Sequence, residues 1–193
     1  MIDWIKNINK DFPPFWNTYL KNFDKKSNRF VVVSLNTTGH DSKNDSLLSI
    51  GCVCVLNNTI IINDVLEINF KTNKNFENEF LTEKNEFEVT EPEGIRNFIN
   101  YIENSILIGY RISFDVEIIN QALDKLKCGR LKNEALDVEV MYKKLEDIND
   151  KKFSLDELLK TFKISKSERH SSSEDAYSIA LLFLKLKSRL GII

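Results

Sequence analysis

The feature that most constrains the fold is a short apolar run that leads directly into polar residues. Phe30–Val33 is continuously apolar, which is typical of a central strand buried on both faces of a sheet. Polar residues follow, from Ser34 through Asn36 to a turn that closes at Gly39. Because functional sites of α/β sheets gather where strands end and helices begin, we expect any site to be built around the end of this strand.

The rest of the chain alternates between strand and helix patterns. Asn57-Asn58 joins two long strand patterns, and asparagine tolerates the positive φ of a hairpin turn. The order β-β-β-α-β-α-β-α-α predicts an α/β fold, with a mixed five-stranded sheet flanked by helices. We interpret residues 71–90 as a long surface loop. The expected strands are 30–33, 47–56, 59–70, 105–110 and 135–140, and the expected helices are 91–103, 113–126, 154–162 and 171–190.

Residues 1–28 precede the first strand and predict an N-terminal helical extension, which divides the chain into 1–28 and 29–193. Apolar side chains share one face of each of two segments separated by Pro13-Pro14. They are Trp4, Ile5 and Ile8, then Phe15, Trp16, Tyr19, Leu20 and Phe23. We expect Asp11 to cap the second helix and the aromatic face to dock on the domain's own core. A partner or membrane surface is the alternative.

Composition argues against several classes of function. With 27 Lys and Arg against 29 Asp and Glu, the chain lacks the overall basic footprint of many nucleic-acid binders. A local basic groove is still compatible with this balance, and Lys163, Lys166 and Arg169 are candidates for one, with a solvated loop as the alternative. No apolar run approaches the roughly 20 residues of a membrane span, and the N-terminus lacks a signal-peptide pattern. We therefore predict a cytoplasmic protein without membrane contact.

The three cysteines do not have the spacing of a metal site. Cys52 and Cys54 alternate along one expected strand, and Cys128 lies far away in sequence. Without a CxxC pair or a neighbouring histidine, a zinc site is not expected. The cysteines fit reduced, small apolar residues.

Two acids stand at expected strand-to-helix junctions. Asp115 begins the helix that follows a short buried strand, and Asp175 lies in the first turn of the last helix, five residues after His170. Each acid alone has a simple structural explanation. Asp115 favours a helix N-terminus capped by Ser113, and Asp175 completes a capping box with Ser172.

Taken together, these residues resemble the DEDDh family of 3'-5' exonucleases, to which proofreading subunits of bacterial replicative polymerases belong. The matching motifs are Thr37-Thr38-Gly39, Phe114-Asp115 and His170-x4-Asp175-Ala176, and the resemblance covers about residues 29–190. Supporting stretches are Leu48–Val53, Gly109–Asp115, Leu136-Asp137 and Phe153–Leu158. The resemblance implies a ribonuclease H-like exonuclease fold and a nucleic-acid substrate with a single-stranded 3' end.

The family's chemistry uses two divalent ions, Mg²⁺ or Mn²⁺, held by four carboxylates. By resemblance, Asp115 and Asp175 are two of these metal ligands, and His170 is the general base that takes a proton from the attacking water. Residues expected to bind substrate are Thr37, Thr38 and Arg111.

The first motif departs from the family pattern. Where the family has Asp-x-Glu-Thr-x-Gly, this chain has Ser34-Leu-Asn36 followed by Thr-Thr-Gly. Serine and asparagine are neutral, so the number of carboxylates falls from four to two and we expect metal binding to be weakened or lost. Asp41 and Asp45 lie in the following turn and are not expected to replace the missing acids.

A second departure lies after the glycine of the middle motif. The family often has His-Asn there, whereas this chain has Tyr110-Arg111. Arg111 would place a cation beside the site, where it could neutralise Asp115 or contact a phosphate.

Three hypotheses follow. The first is a protein that binds or acts on nucleic-acid 3' ends with impaired or absent hydrolysis. The second is an active metal-dependent 3'-5' exonuclease that uses Asp115, Asp175 and His170 with weakened metal binding. The third is a non-catalytic interaction module whose N-terminal helices dock a polymerase or another protein.

Overall fold

The computed structural model describes residues 11–39, 41, 44–71, 88–165 and 171–192. Within these residues, six strands form one mixed sheet with helices on both faces. The strands are β1 Phe30–Thr37, β2 Leu47–Leu56, β3 Thr59–Phe70, β4 Glu88–Val89, β5 Ile106–Gly109 and β6 Ala135–Asp137. The helices are α1 Pro14–Asn22, α2 Glu91–Ile102, α3 Ile112–Lys125, α4 Val138–Glu146, α5 Leu155–Thr161 and α6 Ser172–Arg189.

β1 lies inside the sheet, as its apolar run predicts. The strand order is β4-β3-β2-β1-β5-β6, and β1 runs antiparallel to β2 and parallel to β5. Val31 and Val33 pack into the core beneath α1, α2 and α3, whereas Val32 packs into the core beneath α4, α5 and α6. Alternate side chains of one strand therefore serve two cores, which explains why the run is apolar without interruption.

The sheet has six strands among the described residues, so the predicted number of five is wrong. The strand predicted at 135–140 is also wrong in length, because β6 covers only Ala135–Asp137. β4 adds a two-residue strand at the end of the predicted 71–90 loop, where it pairs with the end of β3; residues 72–87 lie outside the described part. β6 ends at Asp137 because its carboxylate accepts hydrogen bonds from the backbone N–H groups of Glu139 and Val140. That cap starts α4, a helix that the alternating pattern of 135–140 concealed.

Three predicted helix caps are also wrong. α1 is preceded by Pro13, not by a capping Asp11, and proline at a helix start needs no backbone N–H. α3 begins one residue before Ser113, and its N-cap is Arg111. α6 is capped by Ser171, which accepts from the N–H of Glu174, so the predicted box of Ser172 with Asp175 does not form.

Two predictions made from local sequence patterns, a hairpin turn and a helix cap, are confirmed. Asn57 and Asn58 both have positive φ, 50° and 61°, and they connect β2 to β3 as a tight hairpin turn. Ser154 caps α5, and its capping box with Glu157 is complete.

The aromatic face of α1 docks on the domain's own core. Trp16 and Tyr19 are buried there, and the Tyr19 hydroxyl donates to Asn133 Oδ1 at 2.7 Å. Burial raises the pKa of Tyr19 to about 12. Docking on the core is thus confirmed for this helix, whereas Trp4, Ile5 and Ile8 lie outside the described residues. In the part of the chain that the structure describes, no helix has the length and apolarity needed to cross a membrane.

Candidate active site

The register of the sheet brings the ends of three strands to one edge. Val32 of β1 is level with Ile108 of β5, and Gly109 of β5 is level with Asp137 of β6. Parallel strands end on the same side, so the residues that follow each strand gather at this edge. β1 continues past the end of β5 to Thr37, so Ser34 and Asn36 lie at this edge of the sheet.

One side of this edge carries neutral side chains, three of which are joined by hydrogen bonds. Asn36 and Ser34 project from the same face as Val32, toward α6. The Asn36 Nδ2 group donates to Ser49 Oγ at 3.1 Å and to Ser172 Oγ at 2.9 Å. The two serine hydroxyls also contact one another at 2.5 Å. Ser34, Asn36, Ser49 and Ser172 are called the neutral half below.

A glycine allows α6 to reach this position. Gly51 pairs with Ser34 across β1 and β2, and a Cβ atom at Gly51 would lie only 1.9 Å from the backbone carbon of Ser172. Only a residue without a side chain admits such a close approach. On the next strand, Glu67 Oε2 accepts a hydrogen bond of 2.6 Å from the backbone N–H of Ser173. The first turn of α6 is therefore seated directly on the sheet.

Asp175 lies on this first turn of α6. It follows Ser172 by three residues, so the two side chains are neighbours on the helix surface. Its backbone N–H donates to Ser171 O at 3.2 Å, which continues the helix from its cap. The fold thus brings Asp175 to the same edge as Asn36. The predicted general base, His170, lies outside the described residues.

The second side of the edge carries charges. Asp115 lies in the first turn of α3, and burial together with the negative charge of Asp137 raises its pKa well above the usual range. Burial also raises the pKa of Asp137, although its hydrogen bonds from the N–H groups of Glu139, Val140 and Ile112 oppose the shift. Both carboxyl groups are therefore desolvated, and the charge of Asp137 adds to the cost of ionising Asp115.

Arg111 does not neutralise Asp115, as one of the predicted alternatives required. Its Nε donates to Glu139 Oε2 at 3.3 Å, and its guanidinium carbon lies 4.9 Å from the centre of the Tyr110 ring. Glu139 also accepts from Lys143 Nζ at 3.1 Å and from the backbone N–H of Phe153 at 3.0 Å. Burial alone would raise the pKa of Glu139, but these donors outweigh it and lower the pKa. Asp115, Asp137, Arg111 and Glu139 are called the charged half below.

The hydroxyl groups of Thr37 and Thr38 maintain the turn after β1. Thr37 Oγ1 donates to Gly39 O at 2.6 Å, and Thr38 Oγ1 donates to Asp45 Oδ1 at 2.8 Å. The other oxygen of Asp45 accepts from the N–H of Asp41 at 2.7 Å. As expected, Asp45 belongs to the turn and does not replace the acids missing from β1.

The described residues do not fit a two-metal centre. Among them, no group of three or more histidine, cysteine, aspartate or glutamate side chains is arranged to hold a metal ion. The Asn36 amide nitrogen is a donor and cannot coordinate a cation, and both of its hydrogen bonds point to the serines. Asp115 and Asp175 remain as candidate ligands.

Several residues that define this site had no predicted role in it. Ser49 and Ser172 lie 123 residues apart, so no local pattern links them. Glu139 lies inside the stretch expected to be a strand, where its buried carboxylate had no predicted role. The spacing Asp137-x-Glu139 after a strand was the available signal, because acids at a helix start stabilise its N-terminus.

Comparison with known proteins places this geometry in context. DNA polymerase III PolC-type from Clostridium perfringens is 28% identical over 186 residues, which cover 91% of this chain and 12% of that protein. DNA polymerase III subunit epsilon from Buchnera aphidicola subsp. Schizaphis graminum is 28% identical over 183 residues, which cover 83% of this chain and 75% of that protein. The chain thus spans about an eighth of the length of the PolC-type relative and most of the epsilon relative.

A solved structure shares the fold. E. coli Exonuclease I in complex with a dT13 oligonucleotide superposes with a TM-score of 0.69 at 15% identity, covering 86% of this chain and 42% of the other. The predicted ribonuclease H-like α/β fold is therefore confirmed. Residues 31–183, most of the chain, match the Exonuclease family of the RNase_T type. The chain belongs to this family and is a DEDDh-type 3'-5' exonuclease homologue with an altered first motif.

Proposed function

We propose that this protein binds single-stranded 3' ends of nucleic acids and that its hydrolytic activity is strongly impaired. One observation carries the proposal. At Asn36, where the family pattern has a glutamate, the side-chain amide donates to two serine hydroxyls. A neutral residue held in this way supplies no negative charge, and its single amide oxygen is a weaker ligand for a pair of divalent ions than the carboxylate it replaces.

The choice of ligand rests on the family and on the retained edge. Exonuclease I, which shares the fold, has been solved with dT13 and dA16 oligonucleotides. Arg111 of this chain stands half-exposed beside the strand ends, where a phosphate could be bound by charge-assisted hydrogen bonds. Thr37 and Thr38 remain predicted substrate contacts, although their hydroxyls are engaged in the turn.

Metal binding is proposed to be weakened for the same reason. The family generally uses divalent ions, and Mg²⁺ or Mn²⁺ would meet only Asp115 and Asp175 of the four expected carboxylates. When bound, such ions polarise the phosphate and supply the attacking hydroxide. In this chain, burial and Asp137 favour the protonated form of Asp115, which is a poorer ligand than the carboxylate.

A weakened but active exonuclease is the second candidate, and the retention of Asp115 and Asp175 favours it. The relatives that are replicative polymerases or their subunits also suggest a polymerase as a partner of this chain. Binding and hydrolysis of a 3' end would use the same edge of the sheet, so one assay on one substrate measures both.

The test measures both properties on 3'-labelled single-stranded DNA and RNA, with Mg²⁺, with Mn²⁺ and with EDTA. The unaltered chain is expected to bind in all conditions and to leave the label in place. The variant Ser34→Asp/Asn36→Glu is expected to gain metal-dependent release of the label. Release by the unaltered chain that Asp175→Ala abolishes would favour the active enzyme. Failure to bind any 3' end would end the nucleic-acid proposal.

A further inference from the structure

Arg111 has an unusual backbone conformation for the residue that it is. Its φ is 53° and its ψ is 40°, in the left-handed region that residues with a side chain seldom adopt. It is also the N-cap of α3, four residues before Asp115. A residue with a side chain keeps such a conformation only where surrounding contacts hold it.

Those contacts come from the start of α4 and from the segment before α5. Asp137 Oδ2 accepts from the N–H of Ile112 at 3.1 Å, which anchors the first residue of α3. The Tyr110 hydroxyl donates to Phe153 O at 2.8 Å, so the ring under the guanidinium is fixed. The turn from β5 to α3 is therefore held on both sides of Arg111.

Glu139 holds the guanidinium itself. The side chain of Glu139 is only 8% exposed, whereas that of Arg111 is 53% exposed, so the pair has one buried and one accessible member. Glu139 engages Nε, and the terminal Nη groups carry the other four of the five guanidinium donors. Lys143 and the N–H of Phe153 satisfy the other oxygen of Glu139.

We infer that Glu139 is a positioning residue that presents Arg111 as a metal-independent contact for a phosphodiester of the bound strand. A guanidinium stacked on an aromatic ring and held at Nε loses little side-chain freedom when a phosphate binds at its other edge. This inference rests on the proposed function, because it names the group that grips the strand where the metal ligands are missing.

The test compares two arginines by titrating the full chain with 3'-labelled single-stranded dT oligonucleotide in EDTA. Arg111→Gln is expected to weaken binding about tenfold and to reduce the slope of log affinity against log salt by about 0.7, as loss of one phosphate contact to a single strand predicts. Arg130→Gln is the matched control, because Arg130 is 68% exposed and pairs with Glu117 away from the site. This control is expected to change affinity less than twofold.

Two further variants separate positioning from charge. Arg111→Lys keeps the charge but loses the Nε contact and the stacked plane, so it is expected to recover less than half of the lost affinity on a logarithmic scale. Glu139→Gln is expected to weaken binding about threefold in the unaltered background and to add nothing in the Arg111→Gln background. Lys143→Gln, which removes the other cation from Glu139, controls for general effects on that carboxylate.

The outcomes distinguish the two proposals. If the unaltered chain binds and Arg111→Gln binds equally well, the inference is wrong while the proposed function stands. Full recovery by Arg111→Lys, or additive losses from Glu139→Gln and Arg111→Gln, would contradict the positioning role. If the unaltered chain binds no strand in EDTA, the metal-independent contact is excluded. If it then binds the strand when Mg²⁺ is added, the proposed binding function stands and only the inference about Arg111 is wrong.

Discussion

The neutral half and the charged half of the strand-end edge differ in how their side chains are stabilised where metal ligands are missing. In the neutral half, Asn36 and two serines exchange hydrogen bonds in a buried, uncharged cluster. In the charged half, burial and the negative charge of Asp137 raise the pKa of Asp115, so a carboxyl group suited to a cation is held where its ionised form is disfavoured. The neutral half is packed between the sheet and α6. The charged half still contains a carboxyl group whose ionised form is disfavoured, as in a ligand-binding site without its cation.

This difference shows that one part of an altered site can lack charged groups while the neighbouring part retains them. Buried polar groups stabilise a fold when each of them has a partner, and Asn36 Nδ2 and the hydroxyls of Ser49 and Ser172 meet that condition. Desolvated carboxyl groups destabilise a fold unless a cation or a proton neutralises them. We therefore expect substitutions in the two halves to change stability in opposite directions.

The largest effect is expected where the neutral half meets the sheet. Gly51→Ala would place a Cβ atom 1.9 Å from the backbone of Ser172, and backbone atoms in a packed helix cannot move aside cheaply. We expect a loss of more than about 3 kcal/mol in the free energy of unfolding, measured by urea denaturation. Gly129→Ala is the control, since its Cβ would meet Trp16 at an ordinary 3.4 Å. Equal stability of the two variants would contradict the seating of α6 on Gly51.

The next effect concerns the hydrogen bonds of the neutral half. Ser172→Ala removes the hydroxyl that accepts from Asn36 and contacts Ser49, and it leaves buried polar atoms unpaired. A loss of about 1–3 kcal/mol is expected by the same denaturation. Ser173→Ala, one residue along the helix and partly exposed, is expected to cost under about 1 kcal/mol. A neutral result at Ser172 would mean that the cluster does not stabilise the fold.

In the charged half we expect the opposite sign. The raised pKa of Asp115 means that folding favours its protonated form, so its contribution to stability is present at low pH and is lost as pH rises through the folded-state pKa. Asp115→Asn should therefore raise the melting temperature at pH 7, by about 2–4 °C for each kcal/mol recovered. The gain should vanish below about pH 3, where the carboxyl group is protonated in both the folded and the unfolded state. Asp124→Asn, an exposed acid on the same helix, is the control, and a gain that is independent of pH would exclude this explanation.

The smallest expected effect is a null result with metal. Millimolar Mg²⁺ should leave the melting temperature of the unaltered chain unchanged, because the neutral half offers no carboxylate. In Ser34→Asp/Asn36→Glu the same addition should raise it, and a concentration tenfold above the dissociation constant corresponds to about 1.4 kcal/mol. Ca²⁺ and NaCl at matched ionic strength are the controls. A rise in the unaltered chain would show that the charged half binds the ion by itself.

Sequence patterns predicted the elements whose signals are local. The Asn57-Asn58 turn and the Ser154 capping box each depend on residues within four positions, and both are confirmed. The central position of β1 follows from its apolar run, because only a strand covered on both faces excludes polar side chains.

Predictions were wrong where two neighbouring sequence patterns fit the chain equally well, or where the interacting residues are distant in sequence. Ser171-x-x-Glu174 and Ser172-x-x-Asp175 are capping patterns one residue apart, and the choice depends on Ser172 being buried against Asn36. The alternation that ends at Val140 satisfies a strand pattern, yet the carboxylate of Asp137 starts a helix there. Such competitions are decided by tertiary contacts, which a single sequence does not display.

The hydrogen-bonded trio of Asn36, Ser49 and Ser172 also bears on evolutionary reversibility. A return of glutamate at position 36 would meet two serines that now bind one another and an amide, and a return of aspartate at position 34 alone would supply one lone carboxylate. We expect each single reversion to lower stability before any ion can compensate for it. Aspartate at position 34 and glutamate at position 36 would therefore have to be introduced together for this edge to gain a metal site without first losing stability.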